Sequence, residues 1–154
     1  MLTQLLDPDA IILQYPAQDA RDVIRLLSQK LLAKGYVHES FADAALAREA
    51  ELPTGLILGG DINAAIPHTD VEHVIKPAVA LATLAQPIIF RHMINPDEEV
   101  PVRLVFLMAL EEPKSQVTML QEIASILQSP QLVKQLADAA SIDEITKILL
   151  QASA

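Results

Sequence analysis

His68 stands directly after a short apolar run that a proline ends, in NAAIPHTD, residues 63–70. A strand stopping there places a titratable, nucleophilic ring at its mouth, and in α/β folds ligands and chemistry gather at strand ends. A neutral imidazole needs no activating base for its free lone pair, and an unperturbed histidine, with a pKa of about 6.5, is mostly neutral at pH 7. Position alone leaves two readings open, a nucleophile or a solvated loop residue. Arg48 sharpens the choice. Phe41, Ala44, Ala45 and Leu52 mark an inward helical stripe, and Arg48 follows Ala44 by four residues and Ala45 by three, so it shares that stripe. An arginine there either snorkels to water or meets a phosphoryl or carboxylate group at the core edge.

Other chemistries find little support. No G-x-G-x-x-G, P-loop, H-E-x-x-H or G-x-S-x-G pattern occurs. With no cysteine there is no thiolate nucleophile, disulfide or zinc–thiolate site. His68 and His73 are five apart, a poor spacing for two ligands on one helix face, so no metal site is expected. His73 reads as a surface or locally satisfied residue, Asp70 as a helix N-cap rather than a catalytic acid, and the acidic NPDEEV, 95–100, as a solvated loop.

The elements that must position these residues are legible in outline. IILQYP, 11–16, reads as a short strand. A helix follows, with Ala20, Val23, Ile24, Leu27 and Leu31 on one face and Gly35 as its stop. Ser40 and Asp43 resemble a capping box opening the second helix, which the PTG at 53–55 ends. LILGGDINAAIPH holds two short extended pieces, and DVEHVIK, 70–76, one or two helical turns. AVALATLA, PIIFRH and VRLVFLMAL read as three strands, the last apolar on both faces and so central in a sheet. The C-terminal third is helical. Val117, Leu120, Ile123, Ile126 and Leu127 repeat at helical spacing, Ser129-Pro130 starts another helix, and Ser141 with Glu144 caps a third ahead of Ile145, Ile148 and Leu149. The expected fold is one α/β domain over residues 1–154, a mixed or parallel central sheet flanked by helices.

Composition agrees. A chain of 154 residues can bury a real core, and at 51% apolar but only 3% aromatic residues, aliphatic side chains do the packing. A net charge of −9 argues against nucleic acid and suits a basic protein partner. The N-terminus lacks the basic start and apolar core of a signal peptide, and no apolar run approaches the ~20 residues of a membrane helix. A soluble cytoplasmic protein without membrane insertion is expected.

The combination AREAELPTGLIL…NAAIPHTD closely resembles the signature of the phosphotransferase-system enzyme IIA family, fructose/mannitol type: R-E, a polar segment ending in P/S-T-G, then A-I-P-H. The resemblance covers nearly the whole chain, and AREAELPTG and ALEEPKSQ are most similar to the galactitol-type branch. It implies a carrier that takes a phosphoryl group from phospho-HPr on the A-I-P-H histidine, His68. The carrier passes the group to a cysteine of enzyme IIB during sugar uptake through the membrane enzyme IIC, with no cofactor or magnesium. The motif arginine matches Arg48, and the P-T-G threonine matches Thr54, a hydrogen-bonding neighbour. Mannitol-type members carry a second active-site histidine where the pattern QVTMLQEIASIL places Gln116, so here that role is absent or falls to a neutral amide.

On that reading, Pro67 stiffens the approach to His68. A backbone carbonyl holds one ring nitrogen, and Arg48 neutralises phosphoryl oxygens with help from backbone N–H groups at Thr69 and Asp70. The alternative use is regulatory, with histidine phosphorylation controlling a transporter or transcription factor. A module that keeps the fold and transfers nothing is disfavoured by the presence of both His68 and Arg48.

Overall fold

The computed structural model describes residues 2–152, so residue 1 and residues 153–154 of the expected domain lie outside the described residues. Five strands form one mixed sheet: β1 (Leu6–Tyr15), β2 (Gly55–Leu56), β3 (Asn63–Ala65), β4 (Ala78–Arg91) and β5 (Glu99–Ala109). Their spatial order is β1-β4-β5-β3-β2, with β1 parallel to β4, β4 antiparallel to β5, β5 parallel to β3 and β3 antiparallel to β2.

The helices cover both faces. On one lie α2 (Ala20–Ala33) and α3 (Phe41–Glu51); on the other lie α1 (Leu2–Leu5), α4 (Pro113–Leu127), α5 (Pro130–Asp138) and α6 (Ile142–Ala152). The period of two along β5 divides the core between them. Leu104, Phe106 and Met108 pack with Ile123, Leu136 and Ile145, whereas Val105, Leu107 and Ala109 pack with Ile24, Leu27 and Phe41. Where they are covered twice, over 78–84 of β4 and 104–109 of β5, the strands need apolar residues at nearly every position, which is why LVFLMAL reads as a continuous run.

Several expectations hold in detail. The α2 face carries Val23, Ile24, Leu27 and Leu31, all buried, and the helix stops at Gly35, whose φ of +78° suits a residue without Cβ. Ser129 caps α5 by accepting from the Leu132 N–H, and Ser141 accepts from the Glu144 N–H. Other expectations need correction. AVALATLA and PIIFRH are one strand; its pairing with β5 shifts register between Thr83 and Ile88, and Pro87 is accommodated in that irregular, exposed stretch. β1 begins at Leu6, and its pairing is irregular between Leu6 and Ile11, around Pro8. Ser40 makes no capping bond; its hydroxyl meets His73 Nδ1 at 2.8 Å instead. Leu52 and Val117, expected inward, are each 55% exposed, and Leu46 and Met119 take the buried positions.

Candidate functional site

The site is built where a very short strand ends. β2 has only two residues, and its antiparallel register with β3 pairs Gly55 with Ala65 and Leu56 with Ala64. Continuing that register places Thr54 opposite Ile66, and the Ile66 N–H donates to Thr54 O at 3.3 Å. The next opposed pair is Pro53 and Pro67. That pair is a non-hydrogen-bonded one, with the Pro67 carbonyl turned to β5, so Ile66 N–H to Thr54 O closes this ladder's hydrogen bonding and the chain leaves β2 at His68. On its other side His68 stays aligned with β5: it forms a parallel bridge with Met108, whose N–H donates to Pro67 O at 3.0 Å. His68 thus lies at the C-terminal end of the parallel β3–β5 pair, where α/β sheets hold their ligands. Gly55, the glycine of the PTG segment, is fixed by a close approach: a Cβ there would stand 2.5 Å from Arg91 O.

His68 Nδ1 lies 3.0 Å from Ile66 O. A carbonyl only accepts, so the bond assigns the proton to Nδ1 and leaves the lone pair on Nε2. Burial pushes the imidazole pKa below its ordinary value, and the Arg48 charge pushes the same way. The Ile66 carbonyl bond and Asp70 oppose the shift without overcoming it. The ring is therefore neutral at pH 7.

Arg48 extends from the last turns of α3 with its side chain 33% exposed. Its Nη1 is 3.5 Å from Asp70 Oδ1, a partner that is 71% exposed, and such pairs contribute little. Its Nε is buried and donates to nothing. A buried donor without an acceptor costs about 1–3 kcal/mol. Asp70 occupies the N-cap position of a single 3₁₀ turn, Val71–His73, but its side chain makes no capping bond and turns to Arg48.

The remaining expected residues assemble around this pair in different ways. Thr54 is buried and donates its hydroxyl to Glu49 Oε1, so its connection to His68 runs through the Ile66 peptide. Thr69 is buried, and its carbonyl accepts from Gln116 Nε2 at 3.0 Å, which brings the first turn of α4 to the site. His73 is held by Ser40, and His92 accepts from the Asn95 N–H within the β4–β5 connection, so both histidines are locally satisfied. NPDEEV is exposed up to Glu99.

Glu49 has no role in the sequence reading beyond completing R-E. Its carboxylate accepts from the Thr54 N–H and hydroxyl, both at 2.8 Å, and burial raises its pKa to about 7 against the opposing effect of those bonds and Arg48. The available signal was a carboxylate five residues before a threonine at a helix end, which no periodicity rule singles out. Among the described residues no helix is long and apolar enough to cross a membrane.

Comparison with known proteins matches residues 4–152 to the model of "Phosphoenolpyruvate-dependent sugar phosphotransferase system, EIIA 2". The galactitol-specific EIIA component of Escherichia coli K12 is 34% identical over 118 residues, 77% of each chain. Among solved structures, a putative PTS IIA domain from Streptococcus pyogenes superposes with a TM-score of 0.84 at 23% identity, covering 100% of this chain and 98% of that one. The complex of enzyme IIAMtl with phosphorylated enzyme IIBMtl from Escherichia coli gives 0.77 at 26% identity, covering 96% and 99%.

Proposed function

The chain belongs to the EIIA 2 family of the phosphoenolpyruvate-dependent sugar phosphotransferase system and is a phosphoryl carrier of that system; from that premise we propose that His68 Nε2 carries the phosphoryl group and that Arg48 stabilises it in transit. The observation that supports this most is the pairing of a lone pair on Nε2, dictated by the Nδ1–Ile66 bond, with a buried arginine donor that lacks an acceptor. A phosphoryl oxygen supplies that acceptor.

The transferred group passes through a loose, metaphosphate-like state, so the protein's task is alignment and charge stabilisation. The Nε2 lone pair forms an N–P bond as the N–P bond of phospho-HPr breaks, and the electron pair leaves with the HPr imidazole. Nδ1 keeps its proton throughout, and Ile66 O stabilises the positive character the ring acquires. In the second half, a cysteine thiolate of enzyme IIB attacks phosphorus, the N–P bond breaks, and the lone pair returns to Nε2. These 154 residues hold no cysteine, so the thiol is that of the enzyme IIB component. A single 3₁₀ turn after Asp70 offers little helix dipole, which leaves the charge stabilisation chiefly to Arg48.

The carrier works in the cytoplasm with HPr, enzyme IIB and, indirectly, the membrane enzyme IIC. Galactitol is the proposed sugar, supported by the galactitol-specific relative and by glutamine at position 116. Purified protein is charged with enzyme I, HPr and phosphoenolpyruvate, then offered candidate IIB proteins. Discharge to a galactitol-type IIB supports this reading; charging by HPr without discharge to any IIB favours the regulatory alternative.

A further inference from the structure

Glu49 is the partly buried carboxylate that phosphoryl transfer leaves unused. Its partners form one continuous line to the reacting ring. Oε2 and Oε1 accept from the Thr54 N–H and hydroxyl at 2.8 Å each; Thr54 O accepts from the Ile66 N–H at 3.3 Å; Ile66 O accepts from His68 Nδ1 at 3.0 Å. We propose that Glu49 is a positioning residue, which fixes the Ile66 carbonyl through Thr54 and so sets the tautomer and aim of His68.

The local structure gives such a clamp a task. β2 is two residues long, and its hydrogen bonding with the β3 segment ends at Ile66 N–H to Thr54 O. Thr54–Ile66 is thus the last contact on the β2 side before His68, while the β5 side is held by the Met108 N–H on Pro67 O. The carboxylate grips Thr54 at two atoms, fixing its rotation as well as its place. The same helix carries Arg48 one residue earlier, with its side chain directed to Asp70. α3 therefore holds the guanidinium directly and the imidazole indirectly, which sets the separation between nucleophile and phosphoryl-binding group.

The clamp works by geometry rather than charge. A neutral carboxylic acid can still accept from the Thr54 N–H with one oxygen and donate to the Thr54 hydroxyl with the other, because a hydroxyl both donates and accepts. The burial that raises the Glu49 pKa is compatible with either form. A glutamine fits the same contacts: its carbonyl accepts from Thr54 N–H and its amide donates to Thr54 Oγ1. An alanine fits none.

The proposal rests on the reading that His68 carries the phosphoryl group, but its first readout does not. Nitrogen-15 NMR of the His68 ring reports the tautomer without any phosphoryl donor. In the native chain the proton resides on Nδ1. Glu49→Ala should mix the tautomers and slow charging by phospho-HPr by roughly tenfold, the order lost when an orienting partner is removed from a functional histidine. Glu49→Gln should restore the tautomer and most of the rate, with an unaltered pH profile. Thr54→Val, which deletes only the hydroxyl arm, should fall between, and it decides the matter if Glu49→Ala does not fold. An unchanged tautomer in folded Glu49→Ala, or in Thr54→Val, overturns the proposal. So does a Glu49→Gln chain as impaired as the alanine variant, which would mean that the carboxylate acts through its charge. Failure of the native chain to charge at all overturns the carrier reading and leaves the tautomer result standing.

Discussion

Two arginines at different places on the sheet face opposite situations. Arg103, on β5, has a protein partner at each nitrogen: its Nε donates to Leu84 O at 3.1 Å, its Nη2 to Ala137 O at 3.5 Å, and its Nη1 is 3.7 Å from Asp138 Oδ1 at the end of α5. Arg48 has one long contact to an exposed carboxylate and a buried Nε with no acceptor. Both side chains are partly buried, and both come from regular elements. The difference lies in what satisfies them. A guanidinium with a partner at every nitrogen ties β4, β5 and α5 together, whereas the one near the imidazole has the free donor that the proposed function gives to a phosphoryl oxygen. The protein carries the cost of the second arrangement in its resting state.

The largest expected effect is on the proposed nucleophile, His68. His68→Ala should abolish charging by phospho-HPr, measured as the loss of one phosphoryl mass increment, with the chain still folded. Next comes the arginine pair itself. Arg48→Met keeps much of the stem packing and should slow transfer about 10²–10³-fold, the usual consequence of removing one preorganised charged donor, while the melting temperature barely falls or even rises as the orphaned donor disappears. Arg103→Met should do the reverse: transfer unchanged, but stability down by about 2 kcal/mol, read as a Tm lower by roughly 4–8 °C in a chain of this size. If both variants lost stability and activity alike, the two arginines would not differ as described.

Acidity offers a smaller effect. Burial holds the His68 pKa below its unfolded value. The folded state then binds fewer protons than the unfolded one in the window below pH 6.5, so His68 contributes stability that is complete above that window and is lost as pH falls through the folded pKa. Glu49 acts in the opposite sense. Its pKa is raised to about 7, so its contribution favours folding at low pH and declines between about pH 4.5 and 7. Glu49→Gln should flatten that decline in a pH series of denaturant melts. The smallest effect belongs to Gln116→Ala, which removes a neutral bond to Thr69 O. It should cost about 0.5–1.5 kcal/mol of stability and change the transfer rate by only a few-fold.

The sequence displays the parts of this arrangement unevenly. β5 and α2 announce themselves because their apolar periods match their burial, and the prolines at 53 and 67 punctuate the strand that ends at the histidine. The single strand over Ala78–Arg91 was hidden by Pro87 and the exposed residues around it, where register shifts without the strand ending. Leu52 stands at a helical spacing in the sequence, but α3 ends at Glu51 and its C-cap backbone, φ −128° and ψ 77°, takes it off the stripe; Val117 keeps the helical period of α4 yet is exposed, because periodicity reports only spacing. At the site, His68 and Arg48 were visible as types in place. The partners of Arg103, the orphaned Nε of Arg48 and the Thr54–Ile66 link that ties Glu49 to His68 depend on how separate segments meet, which no local pattern encodes.

The most direct test of the account is the identity of the phosphorylated atom. The protein, labelled with nitrogen-15 in its histidines, is charged with phosphoenolpyruvate, enzyme I and HPr, and phosphorus–nitrogen coupling is read by NMR. The account predicts a single phosphoryl group bonded to Nε2 of His68, with Nδ1 still protonated and bonded to Ile66 O. Coupling to Nδ1 of His68, or to either nitrogen of His38, His73 or His92, would contradict it.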